Sequence, residues 1–132
     1  GMSFLGYTGY AGEINLAAGD VDGDGKAEVV TVAHNPVGAH VKAFAGAAGA
    51  TVRSFIAPGT ATGFGGTGPR ADSAARVAVG DVTGDRVVDI LLGSQPDAGP
   101  SRLVVVDGAT GQPAQNRAAF DPLFAFVTLG LN

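Results

Sequence analysis

The chain has no cysteine and no tryptophan. Disulfides and thiolate metal sites are therefore excluded, while the compartment stays open. Histidine occurs only twice, as His34 and His40. Basic residues number eight against twelve acids, giving a formal charge of −4. The eight are scattered from Lys26 to Arg117 without forming a patch or stripe, so nucleic acid is not an expected partner. No apolar run reaches transmembrane length, so no membrane partner is expected either. A secretion signal is also missing. Gly1-Met2 reads as an expression scar, so that absence decides nothing about location. Sustained helical periodicity is missing throughout.

What the chain has in quantity is glycine, 22 of 132 residues, without the every-third-residue period of collagen. Many tight turns explain it better. Hydrophobic residues make up 45%, enough for a packed core. The central stretch is GDVDGDGKAEVV, residues 19–30. Its acids Asp20, Asp22, Asp24 and Glu28 stand at positions one, three, five and nine of a glycine-punctuated loop. Alternate side chains of a coiled loop converge, and converging carboxylates need a cation. Hard oxygen donors favour calcium. At position seven the Lys26 side chain is excluded as a ligand, but its backbone carbonyl is available.

A second copy, GDVTGDRVVDIL, begins 61 residues later at Gly80. Asp81, Asp85 and Asp89 match Asp20, Asp24 and Glu28, while Thr83 replaces Asp22 and Arg86 replaces Gly25. The match extends to LAAGDV against VAVGDV, and to FAGAAG against VDGATG. Seven of the twelve acids lie in the two loops. Two bound calcium ions would cancel the net charge. A repeat of this length signals a solenoid or a propeller.

Short β-type segments flank each loop. In the first repeat they cover residues 13–18, 27–33, 39–45 and 51–57. The second repeat offers 76–80, 87–93, 101–107 and 114–120, the last also compatible with helix. Glycine-rich residues 58–75 separate the two. Ser3-Phe4-Leu5 looks like the fourth strand at Ser54-Phe55-Ile56, and residues 123–131 look like a first strand. The expected division is an edge strand and linker at 1–12, one repeat at 13–57, the loop at 58–75, a second repeat at 76–121 and a terminal strand at 122–132.

The paired loops, the FAGAAG and VDGATG turns and RSFIAP resemble the FG-GAP and VCBS repeats of integrin-alpha-like β-propellers over most of residues 13–121. The resemblance implies an all-β chain of two four-stranded antiparallel propeller blades plus edge strands. It implies Ca2+ between the first and second strand of each blade. The matching ligands are Asp20, Asp22, Asp24, the Lys26 carbonyl and Glu28. In the second blade they are Asp81, Thr83, Asp85, the Val87 carbonyl and Asp89. Thr83 and Arg86 depart from the pattern and weaken the second site. An extracellular or cell-surface location also follows from the resemblance. Propellers need about four to eight blades, so two blades call for completion. The chain is then either a piece of a larger propeller or a subunit of a cyclic homo-oligomer that closes the ring.

Other readings are weaker. Either acidic loop would also serve as a plain solvated turn. An EF-hand needs a carboxylate at position twelve, where Thr31 and Leu92 stand, and helical flanks. His34 and His40 form a conceivable metal pair, yet surface polar roles are commoner. Ser73 and Ser94 lack a nucleophile-elbow context. Gly63 to Gly68 lacks the lysine and hydroxyl of a phosphate loop. The expectation is a non-enzymatic calcium-binding module with a structural or self-assembly role. The alternative is a module binding a protein or carbohydrate through the propeller rim and the 58–75 loop.

Overall fold

The computed structural model describes residues 3–46, 48–57, 60, 75–94 and 102–118, the last four by backbone alone. Most of the 58–75 loop and all of the expected terminal strand at 122–132 lie outside the described residues. Two four-stranded antiparallel sheets make up the fold. The first runs in the order β1 (Ile14–Gly19), β2 (Glu28–Asn35), β3 (Gly38–Ala45) and β4 (Ala50–Ile56). The second repeats that order with β5 (Arg76–Gly80), β6 (Asp89–Gly93), β7 (Arg102–Val106) and β8 (Pro113–Ala118). No helix occurs among the described residues. This is a pair of propeller-blade-like repeats that does not close on itself.

The repeat extends to irregularities. The pairing of β3 with β4 shifts between Ala43 and Phe44, and that of β7 with β8 shifts between Val105 and Val106. A bulge at equivalent places bends the outer strand of each sheet alike. Left-handed glycines also recur, Gly23 and Gly84 among them at φ 81° and 84°.

Alternation assigns the faces. On the first sheet Val30, Val32, Val41 and Ala43 share one face by register. That face meets the second sheet, and Val30, Val32 and Val41 join Ile90, Leu92, Val104 and Val106 in one fully buried cluster. Burying each such side chain contributes about 1.5–3 kcal/mol relative to leaving it exposed. Polar links cross the same boundary, among them a bond from Arg76 Nη1 to Asn15 Oδ1 at 3.2 Å. Arg53 Nη2 donates to the Gly108 carbonyl at 2.6 Å, Asn15 Nδ2 to the Ala75 carbonyl at 3.0 Å, and the Val88 N–H to the Asp20 carbonyl at 3.3 Å. Gly19 permits the close approach, since a Cβ there would lie 2.8 Å from Val79 Cγ2.

The opposite face of the first sheet carries Thr31, Ala33, His40, Lys42 and Phe44. Residues 3–13 lie over it. Residues 3–13, where the edge strand is expected, carry no strand among the described residues. They act as a cover instead. Phe4 packs on Phe44 with ring centroids 4.9 Å apart. Tyr7 is buried at 6% exposure. Its hydroxyl donates to the His40 carbonyl at 3.0 Å and shares a proton with Thr31 Oγ1 at 2.9 Å. Burial raises the Tyr7 pKa, partly offset by the Thr31 bond, so the hydroxyl stays a donor.

This buried hydroxyl gives a direct test of the cover. Tyr7→Phe removes the donor to the His40 carbonyl and leaves the Thr31 hydroxyl with only its 3.3 Å bond to the Lys42 carbonyl, and loss of such buried bonds costs about 1–3 kcal/mol. Urea denaturation should show a loss of that size. An unchanged midpoint would mean that the segment does not seal this face.

Candidate metal centre

Each acidic loop is folded by its own carboxylates, and the two loops use the same bonds. In the first, Asp20 Oδ1 accepts the Gly23 N–H at 2.7 Å and Asp20 Oδ2 accepts the Gly25 N–H at 2.9 Å. Asp24 Oδ1 accepts the Lys26 N–H at 2.8 Å. In the second, Asp81 takes the Gly84 and Arg86 N–H groups at 2.7 and 2.9 Å, and Asp85 takes the Val87 N–H at 2.8 Å. Short polar side chains that bond to backbone a few residues on are the usual makers of such turns. Arg86 keeps the loop path by adopting φ 75° where Gly25 has φ 87°.

The loops differ at the acid that closes them. Glu28 is 1% exposed, at the head of β2. Its Oε2 accepts the Val21 N–H at 3.0 Å, but Oε1 is buried with no hydrogen-bond partner among the described residues. Carboxylate oxygens of Asp20, Asp22 and Glu28 all lie within 4.8 Å of one another. Oxygens sharing one calcium at 2.3–2.6 Å are at most about 5 Å apart, so this spacing suits a common cation. Asp24 stands outside the trio, and Lys26 is exposed beside it.

Asp89 is equally buried, at 0% exposure, but is fully occupied. Oδ2 accepts the Val82 and Thr83 N–H groups at 2.8 and 2.9 Å, and Oδ1 accepts the Gly108 N–H at 2.9 Å. One methylene shorter than Glu28, it is held where the loop enters β6, against the β7–β8 turn. Burial by itself raises its pKa, yet the bonds from Gly108, Thr83 and Val82 outweigh this and hold the carboxyl below the ordinary value of 3.8. Thr83 presents a hydroxyl, aimed at Asp89 Oδ1 from 3.5 Å, where the first loop has the Asp22 carboxylate. Asp81, Asp85 and Asp89 form no convergent acidic trio, and the Thr83 hydroxyl and Val87 carry turn contacts there. Gly108 is the partner that sequence spacing missed. Its only signal was its place in the VDGATG turn.

The two histidines fall on opposite faces of the first sheet, since His34 pairs with Ala39 and His40 with Ala33. That register separates the pair as joint metal ligands. No family model, curated protein or solved structure matches the chain.

Two outcomes follow from the loop geometry. Asp89→Asn puts an amide where only acceptors fit and should destabilise the fold at neutral pH. A depressed carboxyl stabilises above the unfolded pKa, and that contribution is lost as pH falls through the folded one. The gap between wild type and variant in urea midpoints should therefore narrow below pH 3.8; a gap independent of pH would contradict it. Arg86→Gly removes a side chain from the left-handed region and should stabilise by roughly 0.5–1 kcal/mol in the same assay.

Proposed function

We propose that this chain is a calcium-stabilised repeat module of the FG-GAP and VCBS, integrin-alpha-like type, with a structural and self-assembly role and no catalytic one. The observation that carries the reading is the buried Glu28 carboxylate, which converges with two further carboxylates of the loop and has an Oε1 without a hydrogen-bond partner among the described residues. A buried charged oxygen without a donor is costly, and a cation at the convergence point of Asp20, Asp22 and Glu28 relieves it. Calcium suits the oxygen-only donor set, with the Lys26 carbonyl, Asp24 or water completing the shell. The second loop meets its closing acid with backbone N–H groups, two of its own and one from Gly108, and is the weaker site.

Assembly has support in the exposed side chains. Ile14 and Leu16 on β1 are 42% and 68% exposed, on the face turned away from the second sheet. Gly80, which matches Gly19, has nothing within 4 Å of the position a Cβ would take. The outer face of the second sheet thus repeats the surface that Gly19 offers to Val79. Copies associate head to tail, that outer face against the Ile14 and Leu16 side of the next chain, as cyclic closure requires.

Calorimetry and thermal melts test the metal. Calcium at about one hundred times its Kd should stabilise by about 2.7 kcal/mol. Glu28→Gln should reverse sign with conditions. In chelator the variant matches or exceeds the wild type, because one converging charge is gone. In calcium it melts lower. A variant that loses the same stability with and without calcium would make Glu28 purely structural and sink the metal reading. For assembly, light scattering should give a multiple of the 13.0 kDa chain, reduced to one chain by Leu16→Glu. A wild-type monomer at micromolar concentration defeats it.

A further inference from the structure

Between the N-terminal cover and the end of the β2–β3 hairpin lies a pocket of about 310 Å3, well away from the acidic loops. Tyr7, Tyr10, Asn35, His40 and Lys42 line it, with the turn at Thr8 and Gly9. No carboxylate is among its lining residues, in a chain whose net charge is −4. Asn35, His40 and Lys42 project to the same face of the sheet by register. Lys42 is half-buried and has no ion-pair partner among the described residues. Its ammonium donates to the Gly6 carbonyl at 2.8 Å and sits 4.7 Å from the centroid of the Tyr7 ring. An ammonium has three donors, so one remains.

A half-buried cation without a counter-ion is unusual, because desolvation is offset best by an opposite charge. The cation–π contact with Tyr7 offsets it only in part, at about 0.5–2 kcal/mol. His40 stands beside it, edge-on to Tyr7 at 5.3 Å, with Nε2 bonded to Ser54 Oγ at 3.0 Å and Nδ1 free of any bond among the described residues. The Asn35 side chain bonds through Oδ1 to the Val37 N–H at 3.0 Å, which leaves its amide N–H groups to donate.

We infer that this pocket binds a small oxyanion, a carboxylate or a phosphate group, with Lys42 as its charge partner and His40 and Asn35 as further donors. The fixed charge of Lys42 turns away a divalent metal. The ring of Tyr7 forms an apolar wall, and its hydroxyl is already committed to Thr31 and His40. Charge supports the same assignment, for burial, and then the ammonium of Lys42, lower the His40 pKa. The positive field of Lys42 is thus felt in the pocket without compensation.

The test uses the full chain without added calcium. Inorganic phosphate and acetate are titrated separately while the His40 ring signals are followed by NMR. A saturable shift with either probe is expected, and the tighter of the two identifies the source of the anion. A charge-assisted bond is worth about 1.5–3 kcal/mol, so Lys42→Met should weaken binding by about tenfold or more, and Lys42→Arg should restore most of it. If Lys42→Met fails to fold, His40→Ala takes its place, read by calorimetry with an expected loss of about threefold to tenfold. The inference is overturned if neither probe moves the His40 signals, or if the folded variant binds as the wild type does.

Discussion

A sheet that is apolar on both faces has to be covered twice, and this constraint shapes the whole molecule. In β2 the side chains on both faces are buried, Val30 and Val32 toward one side, Thr31 and Ala33 toward the other. The second sheet covers the first side. The N-terminal cover takes the other, but only over β2 and β3, where Tyr7 and Phe4 reach. On β1 it leaves Ile14 and Leu16 in solvent. The unfinished coverage is what the proposed association would complete. A monomer would leave these residues wet, whereas a neighbouring repeat would bury them much as the second sheet buries Val30 and Val32.

The two acidic loops show how one backbone path serves different ends. Asp20 and Asp81 organise their turns by the same N–H bonds, so the two loops share one backbone path. What separates the loops is the fate of the closing acid. Asp89 spends both oxygens on backbone donors, one of them from Gly108 in the β7–β8 turn. Glu28 spends one oxygen. Its carboxylate also converges with those of Asp20 and Asp22. A single methylene, with Asp or Thr at the third loop position, thus divides a cation-ready loop from a self-sufficient one.

Much of the fold was legible because repeats and β-branched runs are local signals. The first three strands of each repeat fall close to the expected segments, marked by alternation in β1 and by an apolar, β-branched run in β2, and the second loop is visible chiefly through its match to the first. The imperfect alternation across His40, Val41, Lys42 and Phe44 has a physical source. Both faces of β3 are covered, so neither needs to be polar. The segment AQNRAAF carries no clear alternation, and β8 is specified by its pairing with β7 rather than by its own side chains. Ser3-Phe4-Leu5 looked like a fourth strand because three residues carry composition but no partner. The acidic spacing pointed to the loop in which Asp20, Asp22 and Glu28 converge, yet spacing could not show that Asp24 is engaged with the Lys26 N–H while Glu28 keeps an oxygen free.

Charge is distributed along the sheets as well as along the sequence. The acids gather where β1 hands over to β2 and β5 to β6, at one end of the strands. The pocket with Lys42 and His40 lies toward the other, beyond Ala33 and Asn35. Lys42 lies opposite Thr31, three residues along β2 from Glu28, which at about 3.3 Å each is roughly 10 Å. Solvent-exposed charges interact little beyond a Debye length of about 8 Å at physiological salt. Glu28 also projects to the opposite face of the sheet from Lys42. The acidic excess of the chain therefore does not neutralise the lysine. A cation at one end and an anion at the other would bind without competing, each meeting a charge that the fold leaves uncompensated.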